Sequence, residues 1–96
     1  MMEIEIISGP RGSGKTTKLQ QIAADLQMAG HQVLNLNSDF TLAGIRRRLI
    51  LAGLQGYTAV MLDDCTSDKL KKLCKAKKEI EERMDFDLRL YAVEAA

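Results

Sequence analysis

Apolar and polar positions change their period several times along the chain, and each change marks an element. Glu3 to Ser8 sets Ile4 and Ile6 between Glu3 and Glu5, the alternation of a strand covered on one face. From Thr16 to Ala29 the apolar residues Leu19, Ile22, Ala23, Leu26 and Ala29 recur at helical spacing, and Gly30 suits a left-handed stop. His31 to Leu36 reads as a second strand and Asn37 to Asp39 as a turn. Thr41 to Leu54 reads as a helix built on Leu42, Ile45, Leu49 and Ala52, with Gly53 and Gly56 bracketing its end. Tyr57 to Leu62 contains the unbroken run Ala59-Val60-Met61-Leu62, the mark of a strand buried on both faces, and ends on Asp63 and Asp64. Ser67 to Met84 predicts a third helix with Leu70, Leu73, Cys74, Ile80 and Met84 on one face and lysines and glutamates opposite. Phe86 to Val93 supplies the last strand.

Strand and helix alternate throughout, which predicts an α/β fold: a four-stranded, mostly parallel sheet with three crossover helices in one domain over residues 1–96. Aromatic residues make up 4% and Trp is absent, so the core has to be built from Leu, Ile, Val, Ala and Met. The net charge of +1 gives the whole molecule no bulk attraction for nucleic acid or acidic membranes, so any such binding needs a local cluster. The opening Glu3 and Glu5 are unlike a basic secretory leader, and no apolar stretch is long enough to span a bilayer. Cys65 and Cys74 lack the spacing of a metal site or a disulfide framework, and a reducing cytoplasm is the expected location.

Between the first strand and the first helix lies Gly9-Pro10-Arg11-Gly12-Ser13-Gly14-Lys15-Thr16, which satisfies the GxxxxGK[ST] spacing of a P-loop in the structural context that gives the spacing meaning. Gly9, Gly12 and Gly14 let main-chain N–H groups curl around an anion at the positive end of the following helix. Lys15 brings an ammonium to the β- and γ-phosphates and Thr16 a hydroxyl to Mg²⁺. Thr17 is placed for the α-phosphate or a helix-start group, while Pro10 and Arg11 stiffen and flank the loop.

On these residues and on the order of its elements, the chain resembles the P-loop NTPase superfamily, in a minimal RecA-like or AAA-like form. Tyr57 to Asp64 is similar to a Walker B segment, an apolar strand delivering an acid beside the P-loop. The resemblance implies a minimal P-loop NTPase sandwich that binds ATP with Mg²⁺, with Thr16 and Asp63 at the metal. It also implies that Lys15 and Asp64 take the catalytic roles, Asp64 by positioning the attacking water. Many hydrolysing members carry Glu at that point. Asp64 is shorter by a methylene and is equally suited to starting the next helix with Thr66 and Ser67, so whether the chain is an ATPase stays open. The alternatives are a nucleotide-binding regulatory module without turnover and a small nucleoside or metabolite kinase. For a RecA-like or AAA-like member the last strand inserts between the P-loop and Walker B strands, whereas in the kinase and GTPase branch those two are neighbours. The Asp63-Asp64 pair favours the first order, and no guanine-reading Asn-Lys-x-Asp is present.

The remaining polar groups read more plainly. Ser38 and Asp39 are expected to cap the second helix, Glu94 to lie in a frayed terminus, His31 to be structural and Cys65 to be a packing residue. Arg46, Arg47 and Arg48 cannot all face one way on a helix and suit a partner surface. The lysines from Lys69 to Lys78, interleaved with no aromatic, fit a solvated face better than a nucleic-acid track. So small a sheet also leaves an exposed edge, which a second copy or a protein partner would cover.

Overall fold

A computed structural model describes residues 2–9, 12, 14–36, 41–83 and 87–94, and of Asp64 the main chain alone. The elements follow the expected alternation: β1 (Met2–Ile7), α1 (Lys15–Met28), β2 (Val33–Leu36), α2 (Leu42–Leu54), β3 (Ala59–Cys65), α3 (Ser67–Glu82) and β4 (Leu88–Glu94). All neighbouring strands pair in parallel, in the order β1-β4-β3-β2. The last strand therefore inserts between the strand before the glycine-rich loop and the strand that ends in acids, the order favoured by Asp63-Asp64.

That order dictates where the helices go. The connection through α1 carries the chain from one edge of the sheet to the other, and the connections through α2 and α3 step back in the opposite direction. Crossovers of one hand that run in opposite directions place their helices on opposite faces. Accordingly, Leu19, with Ile22, Ala23 and Leu26, packs on Ile7, Ala59, Met61, Tyr91 and Val93. On the other face Ile45, Leu49 and Ala52 of α2 and Leu70, Leu73 and Ile80 of α3 pack on Val60, Leu62, Leu88, Leu90 and Ala92. β3 and β4 thus feed alternate residues to two apolar layers, while β1, at an edge, leaves Glu3, Glu5 and Ile6 exposed. The Glu3–Arg89 pair that ties β1 to β4 at 3.6 Å is exposed at both ends and contributes little.

Several local expectations need correction. Cys74 is exposed, because the buried stripe of α3 descends from Leu70 through Leu73 and half-buried Ala76 and Lys77 to Ile80, turning away from it. The cap of α2 is Thr41, whose hydroxyl accepts the Gly44 N–H at 3.1 Å; Ser38 and Asp39 precede it and lie outside the described residues, as does Met84. Cys65 is fully buried in the larger apolar layer, and neither cysteine forms a disulfide. His31 Nδ1 lies 3.1 Å from the Thr58 hydroxyl, a structural contact at the opposite end of the sheet from the glycine-rich loop. The lysines of α3 face solvent among acids, with Lys72–Asp68 and Lys77–Glu81 paired one turn apart. No helix among the described residues is long and apolar enough to cross a membrane.

Leu73, with no exposed surface, sits at the centre of the larger layer. Truncation by Leu73→Ala is expected to cost about 2–5 kcal/mol of unfolding free energy, read from urea denaturation.

Candidate functional site

The carboxyl ends of β1, β4 and β3 lie side by side, and the chain leaves β1 through the glycine-rich loop directly into α1. Gly12 and Gly14 hold left-handed conformations, with φ of 83° and 78°. A Cβ added at either would meet nothing within 4 Å, so the requirement for glycine comes from the backbone and not from crowding. Pro10, Arg11 and Ser13 lie outside the described residues.

The three helices begin differently. Thr41 caps α2 and Thr66 caps α3, the latter accepting the Lys69 N–H at 3.3 Å. At the start of α1 stands Gly14, with no side-chain cap and no acid in the first turn among the described residues. Among the described residues, no side chain takes the N–H groups of that turn or the positive end of the helix dipole. Lys15, Thr16 and Thr17 occupy this turn, Lys15 half-buried and the two threonines exposed.

Two side chains of this turn reach across the sheet. Lys15 Nζ donates to the main-chain carbonyl of Glu94 at 2.7 Å. The Thr16 hydroxyl donates to Asp63 Oδ1 at 3.3 Å, joining residues 47 apart in sequence. The first contact overturns the reading of Glu94 as a frayed end: it closes β4, opposite Cys65 of β3. It uses one of the three ammonium donors and leaves two. The second contact is longer than a well-formed hydroxyl–carboxylate bond of about 2.5–3.0 Å, so hydroxyl and carboxylate are adjacent without being locked together.

The position of Asp63 depends on an irregularity that sequence reasoning missed. Leu62 pairs with Ala92 but Cys65 pairs with Glu94, so β3 carries one residue more than β4 across this stretch, a bulge falling on Asp63-Asp64. Bulges bend a strand and re-aim its side chains. Here the extra residue also lets Leu62 and Cys65, three apart, enter the same apolar layer, which a regular two-residue period forbids. Two buried apolar residues at an odd spacing around a pair of acids were the available signal. For the Lys15–Glu94 contact there was none, since a carbonyl carries no side-chain signature.

A half-buried carboxylate beside a hydroxyl is a pair of hard oxygen donors, of the kind that suits a hard divalent cation. Among the described residues no group of three or more His, Cys, Asp and Glu forms a protein-only metal cage. The side chain of Asp64 lies outside the described residues; its main chain belongs to β3. Arg46 is drawn away to Glu79 of α3 at 2.9 Å.

No protein-family model matches the chain, and no curated protein matches it either.

Replacing Gly14 with alanine tests the backbone requirement independently of any ligand. With space available but a left-handed φ, Gly14→Ala is expected to destabilise the protein by about 1–2 kcal/mol in chemical denaturation.

Proposed function

We propose that this chain binds a nucleoside triphosphate, ATP in the first instance, with Mg²⁺, and hydrolyses it slowly. The observation that carries the reading is the meeting of Thr16 and Asp63 at 3.3 Å beside an uncapped helix start and a lysine. Each feature alone has an ordinary structural explanation. Their convergence at the carboxyl ends of adjacent parallel strands supports a site for a polyanion and a divalent cation.

The division of labour follows from the chemistry of each group. The loop and first-turn N–H groups hold phosphate oxygens, and Lys15 exchanges its carbonyl contact for, or shares it with, the terminal phosphates. Thr16 and Asp63 would hold the magnesium, which would supply positive charge to offset that of the phosphates. Asp64, next along the bulged strand, is the group we assign to orienting and deprotonating the attacking water. Its carboxylate is one methylene short of the glutamate that many related sites use, which supports slow turnover.

Titration with a fluorescent ATP analogue tests the binding. Lys15→Ala is expected to weaken it by about tenfold or more, and Asp63→Asn to remove its enhancement by Mg²⁺. Unchanged affinity in Lys15→Ala overturns the reading. Turnover is tested separately by phosphate release. Wild type is expected to exceed Asp64→Asn by about tenfold or more. Equal rates in the two remove Asp64 from that role, and release no faster than background, with binding intact, makes the chain a nucleotide-binding regulatory module.

A further inference from the structure

Helix α2 departs from the pattern of a surface helix. Its inward residues Ile45, Leu49 and Ala52 are buried, as its packing demands. Ala43, Arg47, Leu51 and Leu54 are exposed on the outward face, where an ordinary helix would carry mixed charges, while Arg46 and Ile50 are half-buried at its edge, Ile50 against the core. Here that face holds no acid at all, since the three arginines are the only charged residues of the helix. Leu54 is 71% exposed and Leu51 38%. Neighbouring α3 is the contrast, with lysines and acids paired along its exposed side.

The outward face of α2 also borders a groove of about 380 Å³ against α3, lined by Ala43, Arg46, Arg47, Ile50, Ile80 and Arg83. Three guanidiniums thus surround an apolar base. One of them already holds a carboxylate, Arg46 to Glu79 at 2.9 Å, while Arg47 and Arg83 make no ion pair among the described residues.

We infer that the α2–α3 groove docks an acidic amphipathic segment of another protein, whose apolar side chains cover Ile50 in the groove and Leu54 one turn beyond it and whose carboxylates meet Arg47 and Arg83. Guanidiniums favour paired, planar acceptors, and carboxylates joined to apolar residues satisfy both halves of this surface. A nucleic-acid backbone would satisfy the arginines but leave the leucines uncovered, and no aromatic lies here for bases to stack on. A flat lipid surface does not follow a groove. A second copy paired antiparallel through α2 would lay arginines on leucines and bury them without counter-charges, which is costly.

The test uses the full chain and a fluorescein-labelled fourteen-residue helical probe with leucines at helical spacing and glutamates between them. Its controls are the same peptide with lysines for glutamates, a labelled oligo-dT and anionic phospholipid vesicles. The acidic probe is expected to bind measurably below about 1 mM. Its affinity is expected to fall about tenfold in Arg47→Glu and in Arg83→Glu, and also in Leu54→Ser, with Lys15→Ala indistinguishable from wild type. Circular dichroism confirms that each variant is folded, and Arg47→Ala serves where charge reversal unfolds the chain. Four results overturn the proposal: no binding of the acidic probe at 1 mM, equal binding of the basic probe, tighter arginine-dependent binding of oligo-dT or vesicles, or sedimentation that reveals a dimer abolished by Leu54→Ser.

Discussion

Because β4 pairs with β1 on one side and β3 on the other, one strand sets the distance across which the candidate site is built. Neighbouring strands lie about 4.8 Å apart, so the loop that follows β1 and the acids that end β3 are separated by about 10 Å. Lys15 and Thr16 are the side chains that span that gap. Lys15 stops at the carbonyl that ends β4, and Thr16 continues to Asp63.

The two faces of the sheet divide stability and function unequally. The layer under α2 and α3 contains most of the fully buried large side chains, including Ile45, Leu49, Leu73, Ile80 and Leu90. The layer under α1 is smaller, and its helix begins with a left-handed glycine and no side-chain cap. Glycine adopts the left-handed conformation freely, but an uncapped helix start costs stability locally, and such a cost persists only where the rest of the fold holds the backbone in place. Packing on the far face meets that condition, because β3 and β4 belong to both layers.

What could be read from the sequence was governed by side-chain periodicity. The glycine-rich loop, the helix starts and the doubly buried β3 each follow from residue types at fixed offsets. The interior position of β4 was also legible, though not in Asp87-Leu88-Arg89-Leu90, which alternates as β1 does. The signal was in Leu90 to Val93, an unbroken apolar run that only a strand covered on both faces can bury. Thr41 was passed over as a cap because Ser38 and Asp39, which favour the same role, stand just ahead of it. Cys74 misled because a four-residue step from Leu70 satisfies helical spacing, whereas the stripe that packs takes the three-residue step to Leu73 instead. The carbonyl partner of Lys15 was not legible, since main-chain contacts depend on where strands end in space.

The strand at the centre of the sheet is also the last of the described elements along the chain, while β1 is the first. Met2 meets Leu88, and Ile7 meets Val93, only after everything between them has been made. During synthesis β1, the glycine-rich loop and α1 emerge early and have no sheet to join. α2, β3 and α3 can already associate through contacts close in sequence. Pairings between distant residues form late and slowly because the loop they close must first be ordered. On the ribosome, therefore, the glycine-rich loop emerges before the strands beside which it comes to lie.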